Sequence, residues 1–540
     1  MKYLNKITTC LLGLALLGIT SACSDPMDEI TSMNLNRNLS PINVSLLLID
    51  RTNVQLTWTP SETATSYTIE VYADDDLEFD AAHLESTIEG ITVAQIPYLV
   101  QDLQGETVYS FRIKAVTDGD ASKDSKWSTA KTTTGTEQIM QKPEADDIQA
   151  KSVVLKWKAG QTATEIILTA ANGTVITHTV TAAEIAAGEA TVDGLTPETE
   201  YTAVLKNGSK TRGTQTFTTG IELADGDILV EAGAVLADII NNAEADARLI
   251  VMPGEYYLNS DGTAPTKLSI AKNLKIKGLR PNDMPVIHGA LALLSGVSLD
   301  VDQCIIDGTG TDATQAFDFI EDGSSDHLTV SNTEIKAFAK GLVYVNKAVE
   351  INAITFNNCL IHDIECSGGD FIDCRQGFIG DIKLTNSTIY NSSKKRDIFR
   401  LDGTGQSNIF AGTGKTINIL VDHCTFHEVG SGSANYRFFY NRFADNKITF
   451  TNNIVSGFNN SRGFTNDGTT DSAPTLSGNY YFNTINLLSL ADGNTQAIKW
   501  FDTAGTALTT NPFSSADEGN FSITDPVLKA VAPGDPRWIE

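Results

Sequence analysis

An array of imperfect repeats between Cys304 and Val455 constrains this chain more than any other feature. Each repeat carries one phrase: two or three polar residues, an Asn-like position, then small and β-branched residues. The phrases read Asp302-Gln303-Cys304-Ile305-Ile306, Asn332-Thr333-Glu334-Ile335, Asn357-Asn358-Cys359-Leu360-Ile361, Asn386-Ser387-Thr388-Ile389, His423-Cys424-Thr425-Phe426 and Asn452-Asn453-Ile454-Val455. Aligned on Cys304, Thr333, Cys359, Ser387, Cys424 and Asn453, the steps are 29, 26, 28, 37 and 29 residues. Self-similarity at such a period means a solenoid or a propeller.

The content of each repeat decides which. Short runs such as Ile354-Thr355-Phe356, Ile382-Lys383-Leu384 and Ile448-Thr449-Phe450 alternate apolar and polar residues, the pattern of strands. No repeat holds an amphipathic stretch long enough for a helix, which argues against helical and leucine-rich solenoids. A propeller blade needs about 40–45 residues, and most of these coils are too short for one. One turn of a parallel β-helix fits. The position before the alignment residue reads Gln303, Asn332, Asn358, Asn386, His423 and Asn452. Stacked at strand spacing, such a column can exchange amide hydrogen bonds, and Asn tolerates the left-handed backbone of a corner. An Asn ladder on coils of this length resembles the right-handed parallel β-helix of the pectate-lyase-like superfamily. That group includes polysaccharide lyases, pectin-acting hydrolases and non-catalytic relatives. The resemblance covers about 220 to 540 and is specific for fold rather than activity.

The N-terminus reads as a targeting segment. Lys2 and Lys6 precede the apolar run Leu11 to Ile19, which is too short to remain as a membrane span and ends in Thr20-Ser21-Ala22-Cys23. Small residues before a Cys resemble the bacterial lipoprotein signal, in which Cys23 is lipidated; an ordinary secretory signal is the alternative. The acidic Ser24-Asp25-Pro26-Met27-Asp28-Glu29 resembles the tag of surface-exported lipoproteins in Gram-negative bacteria that degrade glycans. The expected division is a signal peptide at 1–23 and a tether at 24–39, with the β-helix beginning at 221. Membrane attachment is by the lipid alone, at the outer-membrane surface. Net charge is −28, so the chain as a whole repels nucleic acid, and an acidic polymer would need a local basic patch or a bound cation.

Two modules precede the β-helix. In 40–134, Val54-Gln55-Leu56-Thr57-Trp58 alternates into a Trp, and Leu103 lies six residues before Tyr109. In 139–219, Val154-Leu155-Lys156-Trp157 and the Leu195…Tyr201 pair repeat the landmarks. A buried strand Trp with a later corner Tyr marks an immunoglobulin-like sandwich, and without a Cys pair both resemble fibronectin type III modules. Trp58 and Trp157 are expected to be core anchors. The fold class is therefore all-β: two immunoglobulin-like β-sandwiches followed by a right-handed parallel β-helix.

The β-helix should open with a short helix, since Leu236, Ile239, Ile240 and Ala243 recur at helical spacing. Such a helix resembles the N-terminal cap of pectate-lyase-like proteins, which covers the open end of the core. Coils are expected through Tyr480-Tyr481-Phe482, and the tail from Asn483 to Glu540 should pack over the last of them. Its end, Pro533 to Trp538, resembles the close of uncharacterised β-helix lipoproteins of glycan-utilisation systems. Of seven cysteines, Cys304, Cys359 and Cys424 share a repeat position and read as stacked core thiols; Cys366 and Cys374 have the option of pairing.

Chemistry is expected on a second strand in each coil: Asp370 to Arg375, Asp397 to Asp402 and Arg437 to Arg442. Period 2 sends Ile372, Cys374, Phe399 and Leu401 inward and Asp373, Arg375, Arg400, Asp402, Tyr440 and Arg442 outward. In register, Asp373, Arg400 and Tyr440 form one column and Arg375, Asp402 and Arg442 the next. With Arg396 and Arg437 these are the candidate ligand-binding residues. Lys394-Lys395-Arg396 is an unusual basic run, expected to join the arginines in one strongly basic patch. Three readings stay open: a sugar site with Phe438, Tyr440 and Tyr436 stacking on rings and arginines holding carboxylates, an inter-rung salt-bridge ladder on a solvated face, and a catalytic site. For the last, uronate elimination needs a neutralised carboxylate and a base. Asp370, Asp373, Asp397 and Asp402 are then a candidate Ca2+ ligand set and Lys394, Lys395 and Arg400 candidate catalytic residues. His423 replaces a ladder Asn and is expected to hydrogen-bond there. The function expected is a cell-surface lipoprotein that binds an acidic, pectin-like polysaccharide beside an outer-membrane glycan uptake complex. The alternative is a polysaccharide lyase acting by β-elimination.

Overall fold

The computed structural model describes residues 36–312, 314–403, 408–466 and 472–539. The expected signal peptide, the lipidation site Cys23 and most of the tether lie outside the described residues. The chain divides into two compact units, one running to Glu137 with Ser209–Arg212, the other comprising Gln138–Gly208 and the chain from Gly213.

In the first unit, Ile42–Ile49, Asn53–Thr59 and Tyr98–Val100 form a three-stranded sheet; Leu84–Ile91, Ser66–Ala73, Val108–Val116 and Ser128–Thr133 form a four-stranded one. Alternation drives Val54, Leu56 and Trp58 from one sheet against Tyr67, Ile69, Val71, Phe111 and Ile113 from the other. The Tyr109 hydroxyl accepts from the Gln104 N–H at 3.0 Å, which ties the corner before its strand. The second sandwich repeats this device: the Tyr201 hydroxyl accepts from the Thr196 N–H at 2.9 Å, and Trp157 is buried in the core.

From Ile228 onward the chain winds into a parallel β-solenoid. Its first sheet has ten strands, from Ile228–Val230 to Thr475–Ser477. A second ladder runs through Ile305–Asp307, Glu334–Lys336, Leu360–His362, Thr388–Tyr390, Thr425–His427, Ile454–Ser456 and Tyr480–Phe482. It continues to Thr506–Leu508, one coil further than expected, because residues 483–505 interrupt the repeat with an irregular loop. The third ladder runs through Thr266–Ile270, Val286–Leu293, Gln315–Phe319, Gly341–Val345, Ile372–Cys374, Phe399–Leu401 and Phe439–Asn441. The helix Leu236–Asn242 turns Leu236 and Ile240 onto the first coils and closes that end of the core.

The corner between the first and second sheets carries the repeated phrase. Gln303, Asn332, Asn358, Asn386, His423 and Asn452 all adopt φ between 49° and 55°, the left-handed region that Asn enters at least cost. Their side chains form a broken ladder: Asn358 donates to Asn332 at 2.7 Å, Asn386 and Asn452 reach back one coil to Asn357 and Asp422 instead of to the column, and His423 bonds its own neighbour Asp422. A second chain of bonds lies one residue later, inside the wall. The Cys359 N–H donates to Ser387, the Cys424 N–H to Asn453, and the Asn453 N–H to Asn479. All five described cysteines are buried and unpaired, so Cys366 and Cys374 form no bridge.

The tail lies across the outside of the second sheet. Phe513, Phe521, Ile523 and Leu528 bury Ile454 and pack on Tyr390 and Tyr480. Thr388 donates to the buried Asp535 at 2.7 Å and accepts from the Trp538 indole at 2.8 Å. This face of the solenoid is therefore closed, and the outer face of the third sheet is left for solvent or a ligand.

Candidate functional site

The third sheet brings the expected columns into register. Asp373 pairs with Arg400 and Arg400 with Tyr440, and the column extends back to Tyr344 and Asp318. At about 4.8 Å per rung, Asp318 to Tyr440 spans roughly 19 Å along the solenoid. Outward residues on this sheet are not freely solvated. Asp370, Asp373 and Asp397 are at most 3% exposed and Asp402 is 8%, because guanidinium groups lie over them. This corrects the expectation of a solvated face and of directly accessible carboxylates.

Every carboxylate has a guanidinium partner. Arg375 holds Asp373 through Nε and Nη2 at 2.9 and 2.8 Å. Arg400 holds Asp402 at 2.8 Å and reaches Asp370 at 3.3 Å. Arg437 holds the buried Asp397 at 3.0 Å, and Arg442 reaches Asp402 at 3.2 Å. Four acids and four bases thus alternate across three rungs. The Tyr440 ring lies beneath three of the cations, with Arg437 at 3.7 Å and Arg400 and Arg442 at 5.5 Å from its centroid. The expected ring stackers divide: Tyr440 and Tyr436 are partly exposed, whereas Phe438 is buried in the core with Phe399, Phe426 and Phe464.

Burial and charge oppose each other in this network. Desolvation pushes the Asp397 carboxyl up to about 6 despite Arg437. Asp370 is raised too, first by burial and then by the adjoining Asp373. Arg400 loses some basicity to burial, but its bonds to Asp402 and the charges of Asp370 and Asp373 raise it overall. A general base must release its proton readily, so Arg400 is shaped as a fixed cation and not as a base. The proposed Ca2+ ligands fare no better: their oxygens face guanidinium groups, and no three acidic, His or Cys side chains among the described residues group as a metal site.

The basic run sits apart from this network. Lys394 and Lys395 are exposed on the loop leading into Phe399–Leu401, and Arg396 lies over the Tyr436 ring at 5.7 Å. The expected merger with the sheet arginines into one basic patch is replaced by a charge-balanced cluster with free cations beside it.

Two clefts border the face, and the repeat pattern signals neither. One, of about 540 Å3, lies over the coils that precede Asp373 and is lined by Lys267, Gln315, Asp318, Lys340, Tyr344 and Gly368. The other, of about 520 Å3, lies against the loops that connect the second and third sheets and is lined by Ala339, Asp363, Glu365, Asn391, Ser393 and Lys394. A second set of left-handed residues, Ala337, Asp363, Asn391 and Glu428, shapes the loops around the latter.

Three family models match stretches of the chain. The fibronectin type III domain model matches residues 39–131. A domain of unknown function (DUF4957) matches 254–392, and another (DUF5123) matches 419–538. A segment of two fibronectin type III domains from chicken tenascin is similar to 33% of this chain over 99% of its own length, at 16% identity and a TM-score of 0.24. The FN1–FN3 domains of chicken CNTN1 match 34% of this chain over 67% of their own, at 15% identity and a TM-score of 0.15. No curated protein sequence matches significantly. The first module is a fibronectin type III domain, and a parallel β-solenoid follows the sandwiches.

Proposed function

We propose that this chain is a surface lipoprotein that binds an acidic polysaccharide on the outer face of the third solenoid sheet. It would hold the polymer beside an outer-membrane uptake complex, with the sandwiches as spacers. The observation that carries the reading is the column Tyr344–Asp373–Arg400–Tyr440 with its flanking arginines. Planar rings and guanidiniums sit part-exposed at regular spacing, and buried carboxylates fix their orientation. Sugar rings stack on aromatic faces and on guanidinium planes, so a rigid row of both suits an extended glycan chain, whose acid groups the unpaired cations beside the row would meet. Rigidity lowers the ordering cost of binding. Affinity electrophoresis of the full chain against plant and host glycans tests this, with retardation by uronate polymers expected. Retardation by none of them refutes it.

A lyase is the second reading, favoured by the exposed amines of Lys394 and Lys395 beside the second cleft. Elimination leaves an unsaturated uronide that absorbs in the near ultraviolet. A flat trace on pectate, alginate and glycosaminoglycans, with and without Ca2+, removes it.

A further inference from the structure

We infer that the cleft over the coils preceding the charge-balanced network is a subsite for one uronate residue, with Lys340 as its carboxylate partner. The inference rests on the glycan-binding reading and locates the acid-recognising contact away from the sheet arginines. Those arginines are each within 3.2 Å of an aspartate and carry no surplus charge. Lys340 differs. Its ammonium has no carboxylate partner among the described residues, and it lines the cleft beside Tyr344. The other lysine there, Lys267, is held by Asp318 at 2.9 Å.

The cleft has the parts such a residue needs. Tyr344 is partly exposed and offers a ring face, and its hydroxyl has no hydrogen-bond partner among the described residues. Asp318 and Gln315, 7% and 6% exposed, border the same space and can bond ring hydroxyls. Gly368 leaves the wall open: a Cβ placed there meets nothing nearer than the Lys340 Cε at 3.8 Å. The position also fits a continuing chain. Lys340, Gly369, Arg396 and Tyr436 each lie four residues before the outward residue of their strand, so they follow one another along the solenoid. Gly369 separates the two cations, which places Lys340 and Arg396 two rungs apart, about 10 Å. Arg396 has the Tyr436 ring as its contact and no acid partner among the described residues. Carboxylates on alternate residues of a uronate polymer would meet Lys340 and then Arg396.

The test uses the full-length chain with polygalacturonate, alginate and hyaluronate in affinity electrophoresis. The best ligand's oligomer is then followed by calorimetry alongside its neutral methyl ester. Lys340→Met should weaken the acid at least tenfold and erase most of the preference for acid over ester. Gly368→Trp, at a position whose backbone needs no left-handed φ, should fill the cleft and abolish binding of both forms. Thermal unfolding of each variant within 2 °C of the parent establishes that the solenoid is intact; Gly368→Phe replaces the Trp variant if that one unfolds early. If the parent binds an acidic glycan and both variants stay within twofold of it, the subsite is wrong while the glycan reading stands. If the parent binds none of the three polymers, both fall.

Discussion

Arg400 is the cation on which the buried acids of the third sheet converge, and its removal has a calculable cost. Arg400→Met keeps most of the side-chain volume and deletes the guanidinium. Asp370, 1% exposed, then loses its 3.3 Å partner and keeps a 3.8 Å approach from Arg375 and the N–H of Asp397 at 3.1 Å. Asp402 loses one arginine and keeps Arg442. Stripping the partner from a buried charge costs about 3–5 kcal/mol, and the contacts that remain place this case near the lower end, about 3 kcal/mol. The sign with pH follows. Asp370 is already raised in the folded chain by burial and by Asp373, and losing Arg400 raises it further. A carboxyl whose folded pKa is raised contributes stability that is full below its unfolded pKa and lost as pH rises through the folded one. The variant should therefore be most destabilised at neutral pH and recover toward pH 5. Asp370→Asn removes the stranded charge, so the double variant should regain at least 1 kcal/mol over Arg400→Met, a coupling that a double-mutant cycle measures. Urea unfolding followed through the solenoid transition at pH 7 and pH 5 is the assay. A cost under 0.5 kcal/mol at pH 7, or an equal cost at both pH values, refutes the account of this cluster as interlocked buried charges.

Three further outcomes are expected. Lys394→Ala, Lys395→Ala and Arg396→Ala together should leave thermal stability within about 1 kcal/mol, as exposed charges do, while weakening acidic-glycan binding and flattening its salt dependence; unchanged affinity and salt response would show the run plays no part in binding. His427 is half-buried against Phe513 and Phe521 and the loss of solvent lowers its pKa, so tail packing is fully stable above the unfolded imidazole pKa and weakens as pH falls through the folded value. Protection factors, taken relative to the intrinsic exchange rate at each pH, should then fall on acidification in the strand Asn520–Ile523, and His427→Phe should abolish that response. At the ladder corner, Asn386→Gly should be nearly neutral and Asn386→Val should cost about 1–2 kcal/mol, because φ there is 50°; equal unfolding midpoints for the two would contradict the left-handed requirement.

The charge-balanced network and the ladder corner show how far local chemistry reaches. The residues flanking Cys304, Thr333 and Cys359 announced both the coil period and the left-handed corner, because a backbone preference and a two-residue alternation are properties of short segments. Trp58, Trp157 and their corner tyrosines did the same for the sandwiches. The sequence by itself therefore determined the order of the modules, the coil length and which residues of Ile372–Cys374 and Phe399–Leu401 face inward. The tertiary structure alone decided the rest. Whether Asp373 and Asp402 meet solvent or a guanidinium depends on rotamers: Arg375 and Arg400 each fold back onto an aspartate two residues away, and Arg442 reaches Asp402 from the next coil, 40 residues on. The extra coil at Thr506–Leu508 and the cleft around Lys340 arise where irregular loops return to the solenoid. Those placements come from pairing between distant segments, and no local pattern of residues encodes them.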